Sequence, residues 1–346
     1  MLVKKNRIPV LQIATVGLLP SLLKVAYYRL KGYKIESDVH IGLGSVVLGS
    51  RVYLKKGAKI GFLSVIRGRE IEIGRFSRIG SMCFIDTHKV QIGEDTRINE
   101  NVIIGGIKFP DSSITIGDRS IVMEYSYLNP SRPIKIGDNT GIGGHCFLFT
   151  HGSWSSQLEG YPVTFAPITL GDNVWLPWRV FIMPGVEIGD GCVIGANSLV
   201  AKSLPSNSLA AGSPAKIIKE GYPEKPSTER TESMVLEMVR GFVSYLESEE
   251  FSVTYETEKD SHLPIRLTVS RNQLHRTISF LLNSISSHFS AETAVYMNRD
   301  EIHTQKAHGE RMTISLSPAL RFGSTDVGEE FVSFISRYGI RCRRLD

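Results

Sequence analysis

Many aliphatic residues between positions 36 and 218 recur at regular intervals and are followed by glycine. The interval between such pairs is six residues from Ile73 to Ile79 and nineteen from Ile41 to Ile60. Units of six residues, three to a coil, would each supply a short strand with an inward aliphatic side chain, and we expect the glycine to tolerate the tight corner. A β-sandwich gives no reason for such intervals. The pattern predicts a β-solenoid, a parallel β-helix over 36–218.

One interruption of this period is long. The step from Ile136 to Leu170 is 34 residues, about one coil more than the repeat needs. The surplus falls near 151–167 and predicts an excursion from the solenoid. Long insertions into a regular scaffold usually carry function, because the scaffold positions them.

The segment before the repeat is apolar and follows a basic stretch. Residues 8–23 resemble a signal peptide in this respect, but they contain Pro20 and show no small-residue cleavage site. We interpret 1–35 as an amphipathic helical segment that either caps the first coil or lies on a membrane surface. A signal peptide is the alternative.

The repeat ends near residue 218, and a polar, proline-containing linker follows. Apolar residues at helical spacing over 235–246, alternation over 263–269 and a capping box at 270–273 that opens a helix over 274–285 predict a small α+β domain over 219–346. Its later expected elements are strands at 293–297, 312–317 and 340–344 and a helix at 327–338.

Composition narrows the class of protein. Hydrophobic residues make up 42% and charged residues 22%, as in ordinary globular proteins. The net charge is +5 with the basic residues scattered, so no nucleic-acid partner is expected. Four cysteines without paired spacing suggest reduced thiols in a cytoplasm.

The segment 147–216 carries the most specific pattern: FLFTHGSW, then LGDNVWLPW, MPGVEIGDG, IGANSLVAKS and AGSPAK. It resembles the hexapeptide-repeat acetyltransferases, the group of maltose, galactoside, nodulation, colanic-acid and xenobiotic acetyltransferases. The resemblance is close over 145–218 and looser over 36–218. It implies a left-handed parallel β-helix, a homotrimer and acetyl transfer from acetyl-CoA at sites between subunits.

The resemblance also implies a catalytic base. In that family the histidine after the threonine, at the base of the extruded loop, takes this role, and His151 matches it. A hydroxyl that attacks a thioester must lose a proton, and a neutral imidazole accepts it near physiological pH. His145 is interpreted as structural, and Cys146 as a buried, inert thiol.

The resemblance further implies a coenzyme A groove. The matching positions are Trp178, Ala196, Ala201, Lys202 and Lys216. The two lysines would meet the nucleotide phosphates as point charges, or else they are solvated surface charges. Where the family usually has small residues after NVW, this chain has Trp175-Leu-Pro-Trp178, which would reshape the wall of the groove or stack on part of the ligand.

The excursion contains residue types that bind sugars. Trp154 and Tyr161 offer aromatic faces and Glu159 offers a carboxylate for hydroxyl groups. Packing within the loop explains the same residues equally well.

The resulting hypothesis is an acetyl-CoA-dependent O-acetyltransferase of a surface-polysaccharide sugar or its precursor, in the cytoplasm or at the inner face of the membrane. An amino-sugar N-acetyltransferase is the nearest alternative. A γ-type carbonic anhydrase would need three zinc-binding histidines, and His88, His145 and His151 lack its usual spacing, so no metal is expected. A non-catalytic scaffold is the third class.

Overall fold

The structure is a computed structural model, and it describes residues 8–153, 155–257, 265–271, 274–281, 293–298, 312–317 and 319–344. Contacts divide the chain into two units, Met1–Glu224 and Lys225–Asp346.

Short helices open the first unit. They are α1 (Val10–Ala14), a 3-10 turn (Val16–Leu18) and α2 (Ser21–Leu30). The hydroxyl of Tyr28 accepts a hydrogen bond of 3.0 Å from the backbone N–H of Val47, and that of Ser21 accepts one of 2.9 Å from Ile41. The inner face of α2 therefore lies on the first coil.

Three sheets of short strands follow, and the chain visits them in rotation. The first sheet contains Lys34–Ile35, Arg51–Leu54, Glu70–Ile73, Lys89–Ile92, Ser113–Ile116, Ile134–Ile136, Ile168–Leu170 and Glu187–Ile188. The second contains His40–Ile41, Lys59–Ile60, Arg78–Ile79, Arg97–Ile98, Ile121–Val122, Gly141–Ile142, Trp175–Leu176, Val193–Ile194, Ser208–Gly212 and Ala215–Glu220. The third contains Val46–Leu48, Val65–Arg67, Phe84–Asp86, Ile103–Gly105, Tyr127–Asn129, Phe147–Phe149, Phe181–Ile182 and Leu199–Val200.

Three successive strands make one coil, and each strand pairs in parallel with the strand one coil later. Ile73, Ile92 and Ile116 stand in register on the first sheet, and all three side chains are buried. Such columns of aliphatic side chains fill the space between the three sheets, as the six-residue period predicts. Only the last pair of the second sheet, Ser208–Gly212 with Ala215–Glu220, is antiparallel among the described strands of this unit's three sheets.

The repeated glycines have a different role from the one expected. A Cβ atom on Gly74 would lie 2.1 Å from the carbonyl oxygen of Gly93, in the next coil. The positive φ of the corner falls two residues later, at Phe76 (58°), and the same phase holds at Asp95 (51°) after Gly93. The glycine is therefore required by close approach between coils, and the prediction that it relieves the turn itself was wrong.

The second unit is an α+β domain. Its helices are α3 (Thr228–Ser248), α4 (Asp326–Ile335) and a 3-10 turn (Ser336–Tyr338). Its strands, in sheet order, are Ser252–Thr257, Ile265–Arg271, Leu274–Leu281, Thr293–Asn298, Met312–Ser317, Ala319–Gly323 and Arg343–Arg344. The ring of Phe242 on α3 packs against Phe331 and Phe334 of α4, with centroids 5.1 and 5.3 Å apart. These contacts join the two helices over a shared core.

The helix predicted over 274–285 is wrong in its described part. Leu274–Leu281 is a strand that pairs antiparallel with Ile265–Arg271 and parallel with Thr293–Asn298. The spacing of four between Leu274 and Ile278 suits one face of a helix, but an even spacing also suits one face of a strand. Leu274–Leu281 forms a strand because it pairs with a neighbouring strand on each of its edges.

The coil contacts predict the effect of adding one methyl group. Gly74→Ala should lower the free energy of unfolding by about 3 kcal/mol, because its Cβ meets backbone atoms that cannot move aside. Gly141→Ala is the matched control, since its Cβ would find its nearest neighbour, a Trp175 side-chain atom, at 3.6 Å. Denaturant unfolding of both variants checks this, and an equal loss from both would contradict the close-approach explanation.

Candidate active site

His151 stands where the chain leaves the solenoid. It follows the third-sheet strand Phe147–Phe149 and forms a short antiparallel pair, His151–Gly152 with Thr164–Phe165. The chain rejoins the first sheet at Ile168. The predicted excursion is therefore present, and His151 lies at its base, in what we call the third-to-first corner: the turns that leave the third sheet for the first.

Aromatic rings hold the imidazole. The ring of Phe165 stacks on it at 5.7 Å and 10°, and Phe149 lies 6.4 Å away. Partial burial lowers the pKa of His151 below the ordinary histidine value. The ring is thus neutral at physiological pH, the state in which it can accept a proton.

A hydrogen-bonded chain from the preceding coil lies against Nδ1 of His151. The Ser131 hydroxyl donates to Asn129 Oδ1 at 2.9 Å, and its oxygen lies 3.4 Å from His151 Nδ1. With its hydrogen on Asn129, Ser131 can accept a hydrogen bond from an Nδ1–H. This geometry favours the tautomer in which the free lone pair of His151 is on Nε2. Ser131 and Asn129 are both buried.

The solenoid places these partners. Asn129 stands in register with Phe149 one coil later, so the two strands end together. Thr150 ties the ends by donating to the carbonyl of Asn129 at 2.7 Å and accepting from the N–H of Arg132 at 2.9 Å. Sequence reasoning missed Ser131 and Asn129. The available signal was that Ser131 precedes His151 by twenty residues, close to one coil.

A buried carboxylate with two cations lies in the same corner, closer to the N-terminal end. Asp86 receives two hydrogen bonds from Arg67, at 2.8 and 2.7 Å, and one from Lys108. Burial acts to raise the pKa of Asp86, but Arg67 and Lys108 outweigh it and hold that pKa below its ordinary value. The cluster has a net charge of +1.

A second group extends the corner outward. The ring of Phe109 meets Phe165 edge to face at 5.1 Å, and the guanidinium of Arg132 lies 4.4 Å above Phe109. Arg132 also pairs with Asp111 at 3.0 Å. Phe165 thus connects the imidazole to a half-exposed wall of aromatic and charged side chains.

Two of the predicted coenzyme A residues lie in the same corner as the histidine. Ala201 and Lys202 follow the third-sheet strand Leu199–Val200, and both are exposed. They stand two coils beyond His151 in the same corner, as the strand order shows.

The other three predicted residues lie along a different edge of the solenoid. We call it the second-to-third corner: the turns that leave the second sheet for the third. Trp178 and Ala196 follow second-sheet strands, and the backbone N–H of Asn197 donates to the carbonyl of Trp178. Lys216 pairs with Ala211 in the terminal hairpin of the second sheet. The structure of one chain therefore does not bring all five predicted residues together.

Trp178, part of the unusual sequence Trp175-Leu-Pro-Trp178, fits into the solenoid because a glycine lies next to its ring. A Cβ atom on Gly144 would lie 2.5 Å from the Trp178 ring, so glycine admits that ring. Trp178 lies 5.8 Å from His145, which stacks on Tyr125 at 5.1 Å. His145 thus belongs to an aromatic column in the second-to-third corner, separate from His151.

The remaining predicted residues are exposed or outside the description. Trp154 lies outside the described residues. Glu159 ends a 3-10 turn and Tyr161 follows it, both with exposed side chains. Burial raises the pKa of Cys146 to about 11, which agrees with an inert thiol. Among the described residues, no three His, Cys, Asp or Glu side chains could together hold a metal ion.

Part of the chain is similar to known proteins. Residues 167–202 match the family described as bacterial transferase hexapeptide (six repeats). The putative colanic acid biosynthesis acetyltransferase WcaF of Escherichia coli (strain K12) is 39% identical over 107 residues, 31% of this chain and 58% of that protein. Galactoside O-acetyltransferase of the same strain is 43% identical over 90 residues, 25% of this chain and 44% of that protein.

Among solved structures, the polySia specific acetyltransferase NeuO shares 23% identity and covers 57% of this chain and 91% of its own, with a TM-score of 0.32. The chain spans little more than half the length of the colanic acid relative. It carries a hexapeptide-repeat transferase segment, and the predicted resemblance to hexapeptide-repeat acetyltransferases is confirmed.

The hydrogen bonds of His151 predict a single tautomer. In protein labelled with ¹⁵N-histidine, the neutral ring should carry its proton on Nδ1 and titrate with a midpoint below the ordinary value. Ser131→Ala should leave a mixture of tautomers, because the acceptor for Nδ1–H is lost. His151→Gln assigns the signals, and a wild-type ring protonated on Nε2 would contradict the assignment.

Removing the Asp86 charge should destabilise the protein. Asp86→Asn leaves Arg67 and Lys108 without their carboxylate, and we expect a loss of about 2–3 kcal/mol at neutral pH. Because the folded pKa of Asp86 is depressed, this stabilisation exists above the ordinary carboxyl value of about 4 and disappears as pH falls through the folded value. The two proteins should therefore converge in acid. Denaturant unfolding measures this, with Asp111→Asn, an exposed pair, as a control that loses less than about 1 kcal/mol.

Proposed function

We propose that this protein is an acetyl-CoA-dependent O-acetyltransferase that acts on a sugar hydroxyl of a surface polysaccharide or its precursor. The observation that carries the proposal is a half-buried His151 whose Nδ1 lies 3.4 Å from the buried Ser131 hydroxyl and whose pKa is lowered by burial. We propose that Nε2 is the basic nitrogen. The curated relatives named as colanic acid and galactoside acetyltransferases support the substrate class.

In this mechanism Nε2 of His151 accepts the proton of the attacking hydroxyl while its oxygen bonds to the thioester carbon. The imidazolium that forms keeps its Nδ1–H on Ser131, and Asn129 orients that serine. The tetrahedral intermediate then collapses, the carbon–sulfur bond breaks, and Nε2–H returns the proton to the leaving thiolate. Atoms and charge balance without a metal ion or a covalent enzyme intermediate.

The coenzyme A groove is proposed to form between two copies. The coil is proposed to be left-handed, with α2 as its cap, and the assembly to be a homotrimer. Exposed apolar side chains along the second-to-third corner support contact with another copy: Leu43, Phe62, Leu63, Met82, Tyr125 and Trp178. Large exposed apolar patches mark protein–protein interaction sites. A neighbour could bring Trp178, Ala196 and Lys216 of one copy to Ala201 and Lys202 of the next.

The acceptor is proposed to lie against the excursion. Exposed Tyr161 and half-exposed Phe109 supply faces for a sugar ring, and Glu159 supplies an acceptor for hydroxyl groups. Trp154 is proposed as a further contact. The site would operate in the cytoplasm or at the inner face of the membrane.

Three alternative functions can be distinguished from the proposed O-acetyl transfer. An amino sugar could attack the same thioester through its nitrogen, so N-acetyl transfer is the alternative within the class. A γ-type carbonic anhydrase would draw His145 and His151 to one metal, whereas the described structure places them at opposite ends of one third-sheet strand. A scaffold would bind neither donor nor acceptor.

Release of the coenzyme A thiol over a panel of sugars and amino sugars tests the proposal. His151→Gln should reduce release at least about a hundredfold, because general base catalysis is lost. His40→Gln, an exposed histidine on the first coil, is the matched control and should match wild type. In wild type, release should fall only as pH drops through the lowered pKa of His151, since the base form persists above it.

Calorimetry with acetyl-CoA separates the remaining outcomes. Donor binding retained in His151→Gln with release lost places the residue in the chemical step. Full release by His151→Gln would refute the proposed base, and a wild-type protein that does not bind acetyl-CoA would refute the transferase.

A further inference from the structure

The helix α2 has two unlike faces. Its inner side chains Lys24, Val25 and Tyr28 are buried, and the Lys24 ammonium donates to the carbonyl of Gly42 in the first coil. Burial lowers the pKa of Lys24. The inner face is thus anchored to the solenoid by polar contacts as well as by packing.

The outer face is apolar and uncovered. Leu22 is 85% exposed and Leu30 is 90% exposed, and Leu23 and Tyr27 lie between them along the same stripe. The preceding helix α1 adds exposed apolar residues of its own, Val10 and Leu11 among them. Exposed apolar side chains gathered on one face of a helix mark an interaction site.

The charge of this segment has one sign. Residues 1–35 contain seven basic residues, of which Lys24 is buried on the inner face, and no acidic residue; the first acidic residue of the chain is Glu36. Two of the basic residues, Lys31 and Lys34, are exposed next to the helix. An apolar stripe flanked by cations is the pattern of a helix that lies in the interface of an anionic membrane.

The helices α1 and α2 are each short relative to a membrane span. No described helix is by itself long and apolar enough to cross a membrane, and the stretches Val10–Leu18 and Ser21–Leu30 reach that length only as a pair bent by 114°. Withdrawing α2 into lipid would also break the contacts of Lys24 and Tyr28 with the first coil. Only the outer face is free to meet lipid.

We propose that α1 and the outer face of α2 dock this protein onto the surface of an anionic lipid bilayer. A second copy of the chain is a poorer occupant, because a two-fold contact would set two basic segments against each other. Anionic headgroups would neutralise the cations while the leucines enter the acyl boundary. The proposal is independent of acyl transfer, since none of these residues belongs to the proposed active site.

Co-sedimentation of the full chain with vesicles tests the docking. We expect binding to phosphatidylcholine vesicles that contain phosphatidylglycerol, weaker binding to phosphatidylcholine alone, and release at high salt. The double variant Leu22→Gln, Leu30→Gln should bind at least about tenfold more weakly, because both side chains leave the acyl boundary. Leu158→Gln, at a leucine that is 99% exposed elsewhere in the chain, is the matched control and should bind as wild type does.

Thermal unfolding and sedimentation velocity accompany the assay. Because Leu22 and Leu30 are exposed, the double variant should unfold at the wild-type temperature, and Lys31→Gln, Lys34→Gln provides a second variant that weakens binding through charge. Equal vesicle binding by wild type and both double variants would overturn the proposal. So would absence of vesicle binding together with loss of self-association in the leucine variant, which would assign the stripe to a second copy.

Discussion

The approach of each coil to the next is the contact on which the first unit depends. Gly74 and Gly93 leave no space for a side chain between successive turns of backbone, and the corner strain is carried two residues later, at Phe76 and Asp95. Because the backbones of successive coils are in contact, the spacing between coils is fixed. The position of each strand is therefore set by the strand one coil earlier. The positions of side chains at the corners follow from that spacing rather than from local flexibility.

This spacing makes neighbours of residues one coil apart. Ser131 meets His151 because Asn129 and Phe149 end their strands in register. The imidazole therefore meets a hydroxyl in the regular part of the solenoid, although the histidine itself begins an irregular excursion. A reactive group on a loop gains orientation in this way without the loop having to be rigid throughout.

The period of aliphatic residues predicted the coils, and the surplus between Ile136 and Leu170 predicted the excursion, because both are repeated or counted along the chain. Ser131 could not be assigned, since a serine one coil away has no motif of its own. The strand at Leu274–Leu281 was predicted as a helix because the spacing of four between Leu274 and Ile278 fits both structures, and its pairing with the strands on either side has no motif of its own. The partition of predicted coenzyme A residues between two corners likewise needs the sheet order.

The division of the predicted coenzyme A residues between two corners limits how a complete donor site could form. Ala201 and Lys202 share the corner of His151, whereas Trp178 and Ala196 stand at the other end of the third-sheet strands. A strand of three residues spans about 10 Å, so the width of one face separates the two groups. A ligand that touches both must either cross that face or lie between two copies, and the exposed apolar residues beside Trp178 favour the second arrangement. On this reasoning catalysis by the proposed transferase would depend on assembly, because one chain holds the proposed base and only part of the proposed donor groove.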